Sequence, residues 1–162
     1  MEELTVVRLR RLPVALWARS QQHTDELLRE FALAAAGATP DQRHQTPVRL
    51  TALIAALTAD YGHTSTEQEQ ALFTAADAGQ DEIAELVYEI PAAAAGASQI
   101  LGDMLDEADE YCRGGDLLLT LASPEEVVTF RRWFLSEFIR QTAGQPPVAW
   151  PEYDGYWPSA PL

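Results

Sequence analysis

One acidic run, residues 103–110, carries the side chains best placed to do chemistry. Its carboxylates fall on one helical face, because residues three or four apart are neighbours on a helix: Asp103, Asp106, Glu107 and Glu110. Like charges at that spacing repel by roughly a few tenths of a kcal/mol, and the helix dipole disfavours anions near the C-terminal end. Three interpretations are open: a solvated face, a contact with a basic protein, and a divalent-cation site. Of the two functional ones, we favour the protein contact.

The second group of candidate residues is aromatic. The apolar face of a predicted helix is assigned to the core: Val127, Phe130, Phe134 and Phe138. Trp133 lies on the opposite side among charged residues, where an exposed indole usually marks an interface. The tail after residue 144 supplies further rings, which either fold back over Trp133 or meet another chain. The aromatic part of the predicted partner-binding set is therefore Trp133, Trp150, Tyr153, Tyr156 and Trp157.

The other reactive residues form no catalytic, cofactor-binding or metal-ligating motif. The three histidines, His23, His44 and His63, have no second histidine ligand at helical spacing. Cys112 stands at a helix end beside carboxylates, which should raise the pKa of its thiol and make it a poor nucleophile. All 11 basic residues are arginine, so a Schiff-base or phosphate-loop lysine is excluded. The glycine patterns of hydrolases and dehydrogenases are missing too, and we favour a non-enzymatic protein without cofactor or metal.

The elements that must position these residues are predicted from periodicity and from proline and glycine boundaries. The predicted strands cover residues 5–12, 85–90 and 116–122. The predicted helices cover residues 14–36, 46–61, about 64–79, 92–112 and 124–141. Ser123, Pro124 and Glu126 are typical of a helix start, with serine as N-cap. The pattern indicates an α/β fold, with α+β as the alternative: five helices and a small three-stranded sheet built from βα units.

Length and charge limit the class of protein further. The 162 residues suit a single domain, assigned to 1–144, followed by an irregular tail, 145–162, rich in proline, tryptophan and tyrosine. The net charge of −14 disfavours nucleic acid as a partner. With no long apolar run and no signal-like N-terminus, we expect a soluble cytoplasmic protein that does not bind membranes.

Three segments resemble a known group of proteins: 17–31, 105–113 and 130–138. Their packing and charge patterns are similar to those of small actinobacterial proteins associated with partner-switching regulators. Those regulators comprise anti-sigma-factor kinases, STAS-domain antagonists and the matching phosphatases. The resemblance implies a role in such a circuit. It implies neither ATP binding nor a phosphoacceptor, because the kinase's nucleotide-binding boxes and the antagonist's Asp-Ser site are missing here.

Two functions follow as hypotheses. The first is a regulatory or adaptor protein of a bacterial signalling circuit, which acts by contact with an arginine-rich or anti-sigma-type partner. A separate, structural possibility is a homodimer in which the tail crosses to a second copy of the chain. The alternative is a small-molecule sensor or enzyme with an apolar pocket between the sheet and the inserted helices 46–78. Apolar pocket residues form no sequence motif, so pattern analysis cannot identify them.

Overall fold

Five helices and a two-stranded sheet make up the computed structural model, which describes residues 3–62, 65–113 and 123–158. The elements follow in the order β1 (Leu4–Pro13), α1 (Val14–Ala36), α2 (Thr46–Tyr61), α3 (Thr66–Asp77), β2 (Glu82–Pro91), α4 (Ala93–Arg113) and α5 (Glu125–Thr142). The helix-rich fold with a small sheet is confirmed. The predicted third strand, 116–122, lies outside the described residues.

The sheet pairs β1 with β2 in antiparallel register, so that Leu9 lies opposite Leu86. Val7 and Leu9 are buried on one side of β1, whereas Arg8 and Arg10 are exposed on the other. The alternation of apolar residues and arginine therefore has the predicted cause, a strand with one wet face. Because β1 and β2 are antiparallel neighbours, the three helices between them form a long excursion from the sheet and not a parallel crossover.

The first two helices have the bounds that proline and glycine indicate. Pro13 occupies the N-cap of α1 in an extended conformation, and the N–H of Val14 donates to the Asp81 carbonyl at 3.0 Å. Gly37 ends α1, and Gly62 ends α2. The predictions for residues 14–36 and 46–61 are confirmed.

The predicted serine cap of α5 is wrong. Pro124 holds the N-cap position, and no side chain caps the helix. Ser123 instead donates both its N–H and its hydroxyl to Asp109 Oδ1, at 2.9 and 2.8 Å. Ser123 thus supplies hydrogen-bond donors to a buried carboxylate of α4. The local sequence gives no sign of this tertiary contact. Glu126, expected to complete the cap, pairs with Arg19 at 2.8 Å.

The hydrophobic core has two parts. The larger lies between the inner face of the sheet, α1 and α5, and includes Leu9, Trp17, Tyr88 and Phe130. The smaller lies among α1, α2 and α4, away from the sheet: Leu27, Phe31, Leu50, Leu105 and Ala108. The larger part contains Val127, Phe130 and Phe138 of the predicted apolar face, and Phe134 packs against it. The space where the two parts diverge is described below.

Candidate functional site

The centre of the predicted acidic face is a salt-bridge network between α4 and α5. Asp106 accepts from Arg131 at 2.6 Å and from Arg132 at 3.1 Å. Arg131 also donates to Asp109 at 3.1 Å, and both of these side chains are buried, at 8% and 3% exposure. Ser123 adds two further donors to Asp109, its N–H and its hydroxyl. The buried ion pair links α4 to α5, and removal of one member leaves an uncompensated charge.

The two glutamates of the face also have partners within the chain. Glu107 accepts from Arg49 of α2 at 2.9 Å, and Glu110 pairs with Arg113 one turn further along α4. Both pairs are exposed, so each contributes at most about 1 kcal/mol. These contacts offset the repulsion that made the acidic run unusual.

Asp103, the fourth carboxylate, holds the tail. It accepts from the indole N–H of Trp157 at 3.1 Å and from Gln99 at 3.1 and 3.2 Å. The Trp157 ring lies so close to Gly102 that any Cβ at that position would overlap it. Because residue 102 is glycine, the Trp157 ring packs directly against the α4 backbone. The tail therefore docks on its own chain.

Trp133 is fully buried beneath the tail. Its indole N–H donates to the Val148 carbonyl at 2.8 Å, and the Trp150 ring lies 5.7 Å away in edge contact. Glu137, also fully buried, accepts from the Val148 N–H at 2.7 Å. Of the two alternatives for the tail, the structure shows the fold-back over Trp133.

The end of the tail carries the most exposed ring of the predicted set. Tyr153 is half-buried, and its hydroxyl donates to the carbonyl of Tyr156. Burial raises the pKa of Tyr153 to about 12. Tyr156 itself is 60% exposed. Within residues 145–158 the tail is irregular apart from one turn of 3-10 helix, Trp150–Glu152, as predicted.

A cavity of about 310 Å³ lies between β2 and the inserted helices α2 and α3. Residues of α1, α4 and α5 complete its wall. Its position is that of the pocket in the alternative hypothesis. Five aromatic residues line it: Trp17, Tyr61, Tyr88, Phe134 and Phe138. The Tyr88 ring meets those of Phe138 and Phe134 edge-on, with centroids 5.1 and 6.1 Å apart, which fixes this side of the wall.

Few polar groups reach the cavity. Gln21, Ser65, Glu69 and Ser98 line it, and the Ser98 hydroxyl is already used by the Ala94 carbonyl at 2.8 Å. Among the lining residues, Glu69 is the one classed as exposed, so it stands where the cavity opens to solvent.

Tyr88 is a buried residue of the wall with a titratable side chain. Burial raises the pKa of its phenol above the ordinary value of 10.0, and the nearby Glu69 carboxylate raises it further. Tyr88 therefore stays a neutral phenol at physiological pH.

The remaining reactive groups lie away from the cavity. The pKa of the Cys112 thiol is raised, chiefly by burial and then by Asp109 and Glu30, while Arg113 lowers it. The predicted direction is confirmed, although burial exceeds the carboxylates as a cause. Across residues 3–62, 65–113 and 123–158, no group of three or more His, Cys, Asp and Glu could hold a metal ion. No helix in these ranges is long and apolar enough to cross a bilayer.

The sequence patterns do not indicate the individual cavity residues. Trp17, Tyr88 and Phe134 come from three elements far apart in the chain, and each one alone resembles an ordinary core residue. The one local signal is Tyr88, a hydroxyl at an inward position of a strand whose inward neighbours are aliphatic. No family model, curated protein or solved structure matches the chain.

Proposed function

We propose that this chain is a sensor that binds a hydrophobic small molecule in the cavity between β2 and α3. The observation that carries the proposal is the cavity itself, about 310 Å³ and walled by five aromatic rings. A dry cavity of about 150 Å³ holds benzene, so this one accommodates a ligand of roughly ten to fifteen non-hydrogen atoms. An apolar wall with a few polar groups is typical of ligand sites in proteins.

Binding without chemistry is the role that the lining supports. The sixteen described lining residues include no histidine, cysteine or arginine, and only one carboxylate. Nucleophilic catalysis by serine needs an adjacent general base, but the hydroxyls of the lining residues Ser65 and Ser98 donate to backbone carbonyls, those of Gly62 and Ala94. A ligand would instead fill space between the two core regions and tie α2 and α3 to the sheet.

The test combines a search for a bound ligand with a titration of a neutral probe. Native mass spectrometry of the purified chain should reveal a co-purified ligand that denaturation releases. N-phenyl-1-naphthylamine, a neutral fluorescent probe, should bind saturably with one site per chain.

Ala97→Phe places a ring in the lining and should weaken probe binding by at least about tenfold, because it occupies the ligand's volume. Ala93→Phe adds the same ring on the exposed side of α4 and should leave binding unchanged. Equal affinities in the two variants, or no saturable binding by the folded parent chain, would contradict the proposal.

A regulatory adaptor of a signalling circuit is the second candidate function. It is favoured by the exposure of Tyr156, at 60%, and of the Glu110 side chain, at 73%, in a chain with a net charge of −14. Exposed aromatic and acidic groups on such a surface suit a basic partner. The resemblance to partner-switching proteins names the partner classes, anti-sigma-factor kinases and STAS-domain antagonists.

The adaptor is tested by mixing the chain with one purified member of each partner class from the same genome. A complex should elute in size-exclusion chromatography, and Tyr156→Ala should weaken it. Elution of all components as separate species at about 10 µM, well above a typical dissociation constant for such complexes, would argue against the adaptor.

A further inference from the structure

One of the described residues that line the cavity is charged, and its side chain is a carboxylate. Glu69 is the sole charged residue among the described lining residues, and it forms no ion pair with any described residue. By contrast, every carboxylate of the acidic face on α4 has a hydrogen-bond or ion-pair partner within the chain. A carboxylate with no protein cation at the mouth of an apolar cavity is free to pair with a cation on a ligand.

The aromatic rings of the cavity wall also favour a cationic ligand. The face of a tryptophan, tyrosine or phenylalanine ring attracts an organic cation within about 6 Å, and tryptophan does so most strongly. Trp17, Tyr61 and Tyr88 come from three elements and converge on this one space. Tyr88 and Glu69 line the same cavity, and the Glu69 carboxylate adds to the rise in the pKa of the Tyr88 phenol.

The cavity disfavours anionic ligands. A fatty-acid carboxylate would find no arginine or histidine in the described lining and would be repelled by Glu69. The net charge of −14 extends that repulsion to the approach, within a Debye length of about 8 Å at physiological ionic strength. Cations are attracted by the same field.

We infer that the ligand is a hydrophobic organic cation, an alkyl or aryl amine or a quaternary ammonium compound. Its ammonium group pairs with Glu69 and the aromatic rings, and its apolar body fills the rest of the cavity. This inference rests on the proposed function, since it specifies the ligand class for the same cavity.

The experiment measures the affinities of three probes of similar length by isothermal titration calorimetry. The probes are n-octyltrimethylammonium, 1-decanol and decanoate. The parent chain should bind the ammonium at least about tenfold more tightly than the alcohol, and decanoate most weakly. Glu69→Gln should reduce the preference for the ammonium, with the remainder supplied by the rings, and leave the affinity for the alcohol unchanged.

Glu67→Gln is the matched control, because it removes the same charge from the first turn of the same helix outside the lining. It should preserve the tenfold preference. Equal binding of alcohol and ammonium by the parent chain, or an unchanged preference in Glu69→Gln, would overturn the inference and leave the proposed function standing. Failure of all three probes to bind the folded chain would overturn both.

Discussion

The acidic face of α4 and the cavity beside β2 are opposites in sequence and in structure. The face combines unusual residues at a regular spacing, yet its four carboxylates all find partners inside the chain. The cavity is built from residues typical of any core, yet it leaves about 310 Å³ unfilled. An unusual cluster is thus explained by intrachain contacts, while ordinary residues leave the space that a ligand could occupy.

The sharpest way to test the structural role of the salt-bridge network at the acidic face is to remove Asp109, the buried carboxylate of that network. Asp109→Ala should lower the free energy of unfolding by about 3 kcal/mol, because it leaves the buried guanidinium of Arg131 with one partner fewer and the N–H and hydroxyl of Ser123 without their acceptor. Urea denaturation measures the change. Glu110→Gln, one residue along and exposed, should cost less than about 0.5 kcal/mol. Similar losses of unfolding free energy in Asp109→Ala and Glu110→Gln would mean that burial of the salt-bridge network contributes nothing to stability.

The tail should stabilise its own chain. A chain that ends at Gly144 lacks Val148 and Trp150, which leaves the buried indole of Trp133 uncovered and removes the Val148 N–H from Glu137, which keeps Arg140 and Gln141 as donors. We expect a loss of about 2 kcal/mol and a sedimentation mass lowered only by the missing residues. Trp150→Ala, a milder change, should cost about half as much. A twofold fall in mass without loss of stability would instead indicate a tail that crosses to a second copy.

A double variant of Asp106 and Glu107, two half-buried carboxylates of the face, separates like-charge repulsion from ion pairing. Relief of like-charge repulsion alone would make Asp106→Asn with Glu107→Gln slightly stabilising. The structure predicts a loss of about 1 kcal/mol, because Asp106 accepts from two arginines and Glu107 from Arg49. Thermal denaturation at low and high salt measures it, and the loss should shrink at high salt. A raised melting temperature would restore the interpretation of the face as an unpaired, functional surface.

A small effect is expected at alkaline pH. Burial raises the pKa of Tyr153 from 10.0 to about 12 and shifts that of Tyr88 in the same direction. Between these values the folded chain binds more protons than the unfolded chain, so stability is full below about pH 10 and falls as the pH rises toward 12. Tyr153→Phe should make the slope of unfolding free energy against pH shallower between about pH 10 and 11. Equal slopes of unfolding free energy against pH in the parent chain and in Tyr153→Phe would contradict this expectation.

Local signals predicted the elements better than they predicted the site. Pro13 and Gly37 bound α1 because proline and glycine restrict or free the backbone wherever they occur. Ser123 has the sequence of a helix cap, but the buried Asp109 lies within reach and takes its hydroxyl. Trp133 was correctly singled out as a ring that needs cover, whereas its cover by the tail depends on a tertiary contact.

The cavity was predicted as a place between elements but not as a set of residues. Its volume is the space that remains after side chains from α1, α3, β2, α4 and α5 have packed, and no periodicity in a single segment encodes that remainder. Glu69 could not be distinguished from Glu67 by sequence, since both lie in the same polar first turn. Only the packing of α3 against β2 places one of them at the cavity and the other in solvent.

The central claim, that the cavity and not the acidic face is the binding site, is tested most directly by one titration of three proteins with N-phenyl-1-naphthylamine. The parent chain and the Asp106→Asn, Glu107→Gln double variant should bind the probe with the same dissociation constant. Ala97→Phe should bind it at least about tenfold more weakly, because its ring fills the cavity. Loss of binding in the double variant together with full binding by Ala97→Phe would contradict the account.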